Sequence, residues 1–159
     1  MRLKDCHNFR DFRRLAEQRL PSPIFNYIDG GADDEVTMRR NTAAFEACDL
    51  VPSVLRGVTD VDLSVTVMGQ KIDLPVYLSP TALQRLFHHQ GERATAAAAE
   101  KFGTLFGVSS LGTVSMEELA KKHRTPQVYQ FYFHKDRGLN RAMMEKARQC
   151  GRLNFSWVA

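Results

Sequence analysis

Between residues 76 and 149 the chain repeats one pattern three times: a short apolar run, a polar turn and a segment with helical spacing. The apolar runs are 76–78, 104–108 and Gln127–Phe131, and the helical segments are 91–102, 115–122 and Arg137–Gln149. Strands joined through helices must run parallel, because a tight hairpin cannot return the chain in the same direction. The pattern therefore predicts a parallel sheet with helices against it, as either a doubly wound sheet or a (β/α)8 barrel. Each run ends in polar residues: Ser79-Pro80-Thr81, Ser109-Ser110, and Gln130 with Tyr132. Ligands bind at the carboxyl ends of strands in such folds, so three polar strand ends in succession predict a site there.

The residues before this body read as helices and a hairpin. Asn8 is placed to cap a helix on which Phe9, Phe12, Leu15 and Ala16 recur at helical spacing, and Leu20-Pro21 ends it. Ser22 is the expected cap of a second helix over 23–29, and Gly30-Gly31 is expected to close that helix in a left-handed turn. Asp33, Asp34 and Glu35 then suit the positive end of a third helix over 34–47. Residues 61–67 alternate apolar and polar, turn at Met68-Gly69-Gln70 and return through 71–74, which predicts a hairpin with one buried face. The chain thus divides into a lead of helices and hairpin, 1–75, and the alternating body, 76–159.

With 159 residues, 43% of them hydrophobic, the chain can bury a core of ordinary domain size. Its formal charge of +4 is spread over separated pairs such as Arg13-Arg14, Arg39-Arg40 and Lys121-Lys122, which argues for solvated faces and against a nucleic-acid partner. Cys6, Cys48 and Cys150 form no CxxC pair, so neither a zinc site nor a disulfide framework is expected, and a reducing cytoplasm is the simplest compartment. No run approaches the ~18 apolar residues of an integral membrane span. His88-His89 lack the i, i+4 spacing of a zinc helix, and His7, His123 and His134 have no matching acid and nucleophile for a triad. Gly103, Gly107 and Gly112 are too few and wrongly spaced for a dinucleotide fingerprint.

The order and spacing of several short segments carry a resemblance. They are Tyr27-Ile28-Asp29-Gly30-Gly31-Ala32-Asp33-Asp34-Glu35, Arg40-Asn41 with Phe45, Met68-Gly69, Leu78-Ser79-Pro80-Thr81-Ala82-Leu83-Gln84, Gly91-Glu92, Ser109-Ser110, and Tyr129-Gln130-Phe131-Tyr132 with Lys135-Asp136-Arg137. From Phe9 to about Gly151 the chain resembles the N-terminal half of the FMN-dependent α-hydroxy-acid oxidase and dehydrogenase family, which includes glycolate oxidase and the flavin-type L-lactate dehydrogenase. The resemblance implies an α/β fold: the N-terminal part of a (β/α)8 TIM barrel, preceded by helices and a hairpin, with the barrel incomplete.

The resemblance also assigns roles. Pro80, Thr81 and Ala82 match the segment whose backbone lies against the flavin ring, Ser109 matches a flavin-contacting serine, and Gln130 matches the glutamine on the flavin's pyrimidine edge. Tyr27 and Tyr132 match the two tyrosines that face the substrate, one through its carboxylate and the other through the hydroxyl being oxidised. Leu83 and Leu111 fall where side chains separate short from longer hydroxy acids. FMN is the implied cofactor. The implied reaction is oxidation of a small L-2-hydroxy acid, with L-lactate the favoured choice, to the 2-oxo acid in a full-length, homo-oligomeric parent. The parent is expected in the cytoplasm, with membrane association as the alternative.

Residues 151–159 do not continue the family's fourth-strand Thr-Val-Asp pattern. The family's histidine base, substrate-binding arginine, N1-facing lysine and phosphate loops have no counterpart among these residues, so no catalytic residue is assigned. A truncated or frameshifted reading frame, or a split gene, is the expectation. The chain alone is then expected neither to retain FMN nor to oxidise L-lactate. The alternatives are an inactive fragment, or a half-barrel that works with a separately encoded C-terminal half.

Overall fold

The computed structural model describes residues 2–150 and the backbone of Leu153–Trp157. It falls into two compact units, Met1–Thr59 and Asp60–Ala159.

The first unit holds three helices: α1, Phe9–Arg19; α2, Ser22–Asp29; and α3, Val36–Glu46. Asn8 caps α1 as its sequence predicts, its side chain accepting from the Asp11 N–H at 3.0 Å. Arg13 of α1 grips Asp29 at the end of α2 through both carboxylate oxygens, at 2.5 and 2.7 Å. Those guanidinium hydrogen bonds hold the Asp29 carboxyl below its ordinary range.

Two expectations for this unit are corrected. Ser22 does not cap α2: the Pro21 carbonyl already accepts from Ile24 and Phe25 at 2.9 and 3.0 Å, so the helix begins one residue earlier and Ser22 lies inside it. Nor does Gly30 turn left-handed. Its backbone is extended (φ −77°, ψ 150°), and the left-handed residues are Asp33 and Glu35, at φ 48° and 57°. The chain reverses later because the Glu35 side chain reaches back to accept from the Gly31 N–H at 3.0 Å, while its own N–H closes on Ala32 at 2.9 Å.

The second unit begins with a hairpin of β1, Val65–Val67, and β2, Gln70–Ile72, in the register Val65↔Ile72. Met68 and Gly69 both have positive φ, 50° and 74°, which is the two-residue connection whose twist matches paired strands. The predicted strand over 61–67 shortens to three residues, with Val61 and Leu63 left exposed before it.

Three helices and three strands follow: α4, Glu92–Lys101; β3, Phe106–Ser109; α5, Met116–Lys122; β4, Gln127–Phe131; α6, Arg137–Gln149; and β5, Leu153–Trp157. The strands form a parallel sheet in the order β3-β4-β5, as the alternation predicts. Ser115 and Asp136 cap α5 and α6 through their side chains. The run at 76–78 does not form a strand of its own but a single parallel bridge from Leu78 to Phe106. Pro75 and Pro80 flank it, and neither can donate to a ladder, so pairing is confined to Leu78 N to Leu105 O at 3.0 Å and Gly107 N to Leu78 O at 2.7 Å. β3 starts at Phe106 rather than Thr104 because the Thr104 N–H is taken by the Ala99 carbonyl at the end of α4, at 2.9 Å. Residues 151, 152, 158 and 159, on which part of the expected break in pattern rests, lie outside the described residues.

The sheet has two unlike faces. Phe106, Val108, Tyr129 and Phe131 pack with Ala96, Ala99, Leu119 and Ala147 of the helices in the main core. Alanines on α4 let that helix approach the strands closely. The alternate positions, Leu105 and Val128, pack instead with Ile72 of the hairpin, and Val65 and Val67 border that cluster. The hairpin therefore covers the amino end of the second face. Among the described residues no helix is long and apolar enough to cross a membrane.

Candidate functional site

The carboxyl end of that second face is polar. Side chains alternate along a strand, so Ser109 lies on the same face as Leu105, and Gln130 on the same face as Val128. The two are register partners, Ser109↔Gln130. Both are buried, and Gln130 Oε1 accepts at 3.3 Å from the Ser109 hydroxyl, the Ser110 N–H and the Ser110 hydroxyl. The Ser109 oxygen in turn accepts from the Leu111 N–H at 3.1 Å. Every acceptor role of the Gln130 amide is used, yet its Nε2 is buried with no hydrogen-bond partner. A buried amide donor left unmatched is disfavoured by about 1–3 kcal/mol, so this group suits a ligand that brings an acceptor.

Pro80 and Ala82, half-buried, and Thr81, exposed, follow the Leu78 bridge. Pro80 sits directly on β3: a Cβ built at Gly107 would lie 2.7 Å from the Pro80 nitrogen and Cδ and 3.0 Å from the Leu78 carbonyl. Glycine at 107 is what permits this approach. The next loop is drawn to the loop after β3, where Leu83 N donates to Leu111 O at 3.1 Å. Tyr132, just past β4, is exposed. Its loop is held by Asn140, buried on α6, which accepts from the His134 N–H at 2.9 Å and donates to the His134 carbonyl at 2.8 Å. Tyr27 belongs to the first unit, on α2, with its side chain exposed and Asp29 anchored two residues on.

The structure thus brings Pro80, Ser109 and Gln130 onto adjoining strand ends, with Thr81, Ala82 and Tyr132 on the loops that leave them. It adds Asn140 as a support, and Glu92, whose carboxyl accepts from the Thr113 N–H at 2.8 Å and the Thr113 hydroxyl at 2.6 Å. Asp, Glu and Asn near a helix start are ordinarily dipole partners or caps, so no local signal marks these as clamps. Among the described residues no group of three or more His, Cys, Asp or Glu could hold a metal ion.

A parallel α/β sheet that buries an unmatched donor at its carboxyl end is a ligand-binding architecture. The chain belongs to the FMN-dependent dehydrogenase family, whose model matches residues 16–156. It is 41% identical over 148 residues to the L-lactate oxidase of Nostoc sp., covering 91% of this chain and 40% of that protein. It is 37% identical over 144 residues to glycolate oxidase 1 of Oryza sativa subsp. indica, covering 91% of this chain and 39% of that protein. In three dimensions it resembles a soluble mutant of the membrane-associated (S)-mandelate dehydrogenase of Pseudomonas putida, with a TM-score of 0.86 at 30% identity, over 96% of this chain and 43% of that one. The chain spans about two fifths of the length of the curated relatives it matches.

Proposed function

We propose that this chain contributes the ring-facing strand ends of an FMN-dependent 2-hydroxy-acid oxidoreductase. In this reading 76–159 form the first βα units of a (β/α)8 barrel, 1–75 are its lead, and the whole protein oxidises a small L-2-hydroxy acid, L-lactate by preference, to the 2-oxo acid. The observation that carries it is the unmatched Gln130 Nε2 at the carboxyl end of β4. A flavin's pyrimidine edge offers a carbonyl acceptor for that donor. Ser109 orients the glutamine, and Pro80, Thr81 and Ala82 supply the backbone against the ring. FMN, when bound, supplies the acceptor for the two electrons leaving the substrate. Tyr27 is assigned to the substrate carboxylate and Tyr132 to its hydroxyl, phenols that donate a hydrogen bond while their rings exclude water.

A homo-oligomer in the cytoplasm is proposed for the whole protein, and the P. putida neighbour makes membrane association the competing location. A second reading, a half-barrel that works with a separately supplied C-terminal half, is favoured by the sheet order, which leaves β5 at an edge.

The test is anaerobic. FMN is added to the chain alone, and to the chain co-refolded with the remaining three fifths of the Nostoc L-lactate oxidase, followed by L-lactate. The expected outcome is neither flavin fluorescence quenching nor bleaching with the chain alone, and both quenching and bleaching of the oxidised-flavin absorbance band in the co-refolded sample. Absence of bleaching in a co-refolded sample that binds FMN would reject the activity.

A further inference from the structure

We infer that Glu92 is a positioning residue that locks the loop after Leu78 to the loop after β3 and so sets the geometry of the strand ends. Glu92 is the first residue of α4 and is fully buried. Its Oε1 accepts from the Thr113 N–H at 2.8 Å and the Gln84 N–H at 3.4 Å, and its Oε2 accepts from the Thr113 hydroxyl at 2.6 Å. One carboxyl group therefore holds both loops.

The grip is relayed outward. Thr113 Oγ1 accepts from the Arg85 N–H at 3.2 Å. Thr95, one turn along α4, donates to Gln84 Oε1 at 2.6 Å, and Gln84 Nε2 donates to the Thr81 carbonyl at 3.2 Å. The network ends on Thr81 and on the Leu83–Leu111 pair. Leu83 sits in the left-handed region at φ 55°, a conformation that a branched side chain keeps only when its surroundings over-determine it. A glutamate at the start of a helix ordinarily faces solvent and complements the dipole. Burying this one between two loops is a different use of the same residue.

The functional meaning rests on the flavin reading, since Thr81, Ala82, Leu83 and Leu111 matter to catalysis only if that site is correct. The placement itself does not. Amide hydrogen exchange, followed by mass spectrometry on peptides spanning 81–86 and 110–114, reads it without any ligand. Glu92→Gln keeps the reach and one acceptor oxygen, Glu92→Asp keeps the acid but is one methylene short, and Thr113→Val removes only the hydroxyl. Glu92→Asp is expected to speed exchange in both loops about tenfold, the scale of a buried donor losing its acceptor. Glu92→Gln should restore most of the protection, Thr113→Val should loosen 81–86 alone, and α6 should not respond to any of them.

Acceleration spread evenly over the sheet, or none in Glu92→Asp, overturns the proposal. If Glu92→Asp does not fold, Thr113→Val decides it: faster exchange confined to 81–86 supports the clamp, and unchanged exchange there rejects it. FMN titration of the same proteins, each co-refolded with the remaining three fifths of the Nostoc L-lactate oxidase, keeps the two ideas apart. A co-refolded wild-type sample that leaves flavin fluorescence unchanged counts against the flavin reading, while the exchange pattern still decides Glu92.

Discussion

Ser109 and Gln130 face each other across β3 and β4, register partners whose side chains are hydrogen-bonded at 3.3 Å. Three donors converge on one oxygen of the glutamine and none of its amide hydrogens is used, so the side chain is held in one orientation with its donor end unmatched. In the protein co-refolded with a C-terminal portion, replacing Gln130 with Leu should weaken FMN binding by about 1–3 kcal/mol. Fluorescence titration measures the loss, and an unchanged affinity would remove Gln130 from the site.

Gly107 is where the bridge strand and β3 come closest. Gly107→Ala places a methyl against the Pro80 ring and backbone, atoms that cannot swing aside. Overpacking of this kind destabilises by about 1–3 kcal/mol. Urea unfolding should show a lower midpoint at an unchanged slope.

At Gly69 a Cβ would meet nothing within 4 Å, but φ is +74°. Gly69→Ala therefore tests backbone conformation without packing, and a loss of about 1–2 kcal/mol is expected from the left-handed penalty alone. A stability equal to wild type would show that the hairpin adopts another turn.

Acid should loosen the packing of α4 against α5. Glu118 binds Arg93 through both oxygens, at 2.7 and 3.0 Å, and Lys122 at 2.8 Å. Hydrogen bonds from Arg93 first, then Lys122, lower its pKa from the ordinary 4.5 to about 2. A carboxyl whose folded pKa is depressed stabilises the fold fully above its unfolded pKa and loses that contribution as pH falls toward the folded value. Thermal melts should decline between pH 4.5 and about 2. Glu118→Gln should flatten that part of the curve, and added salt should partly mimic it because the cluster is only half-buried.

The Asn140 clamp predicts a chemical asymmetry. Asn140→Asp keeps the acceptor for His134 N–H but sets an oxygen against the His134 carbonyl, whereas the wild-type amide donates there. Exchange in residues 132–136 should rise in Asn140→Asp, and lowering the pH toward protonation of the new acid should reverse part of it. No pH response would show that the loop is held by other contacts.

Much of the fold was legible because its signals are local. Asn8 caps where its position predicts, and Gln127–Phe131 and Arg137–Gln149 match their predicted bounds. The failures are places where a tertiary or backbone partner outweighed a local preference. Pro21 started α2 before Ser22 could cap it, and prolines on either side of 76–78 reduced a predicted strand to one bridge. In the site, Ser109 and Gln130 could be placed at strand ends from alternation. That they touch depends on the register between two strands separated by α5, which no local pattern encodes. Glu92 was hidden for the same reason, because its donors lie 8 and 21 residues away.

The β1–β2 hairpin, with Ile72 fully buried against Leu105 and Val128, stoppers one end of the sheet's second face. That contact keeps water from the amino end of the face on whose carboxyl end Ser109 and Gln130 lie. The turn at Met68-Gly69 thereby helps govern how dry the polar end stays. A leak at this stopper would weaken every electrostatic interaction near Gln130 while leaving each of its contacts in place.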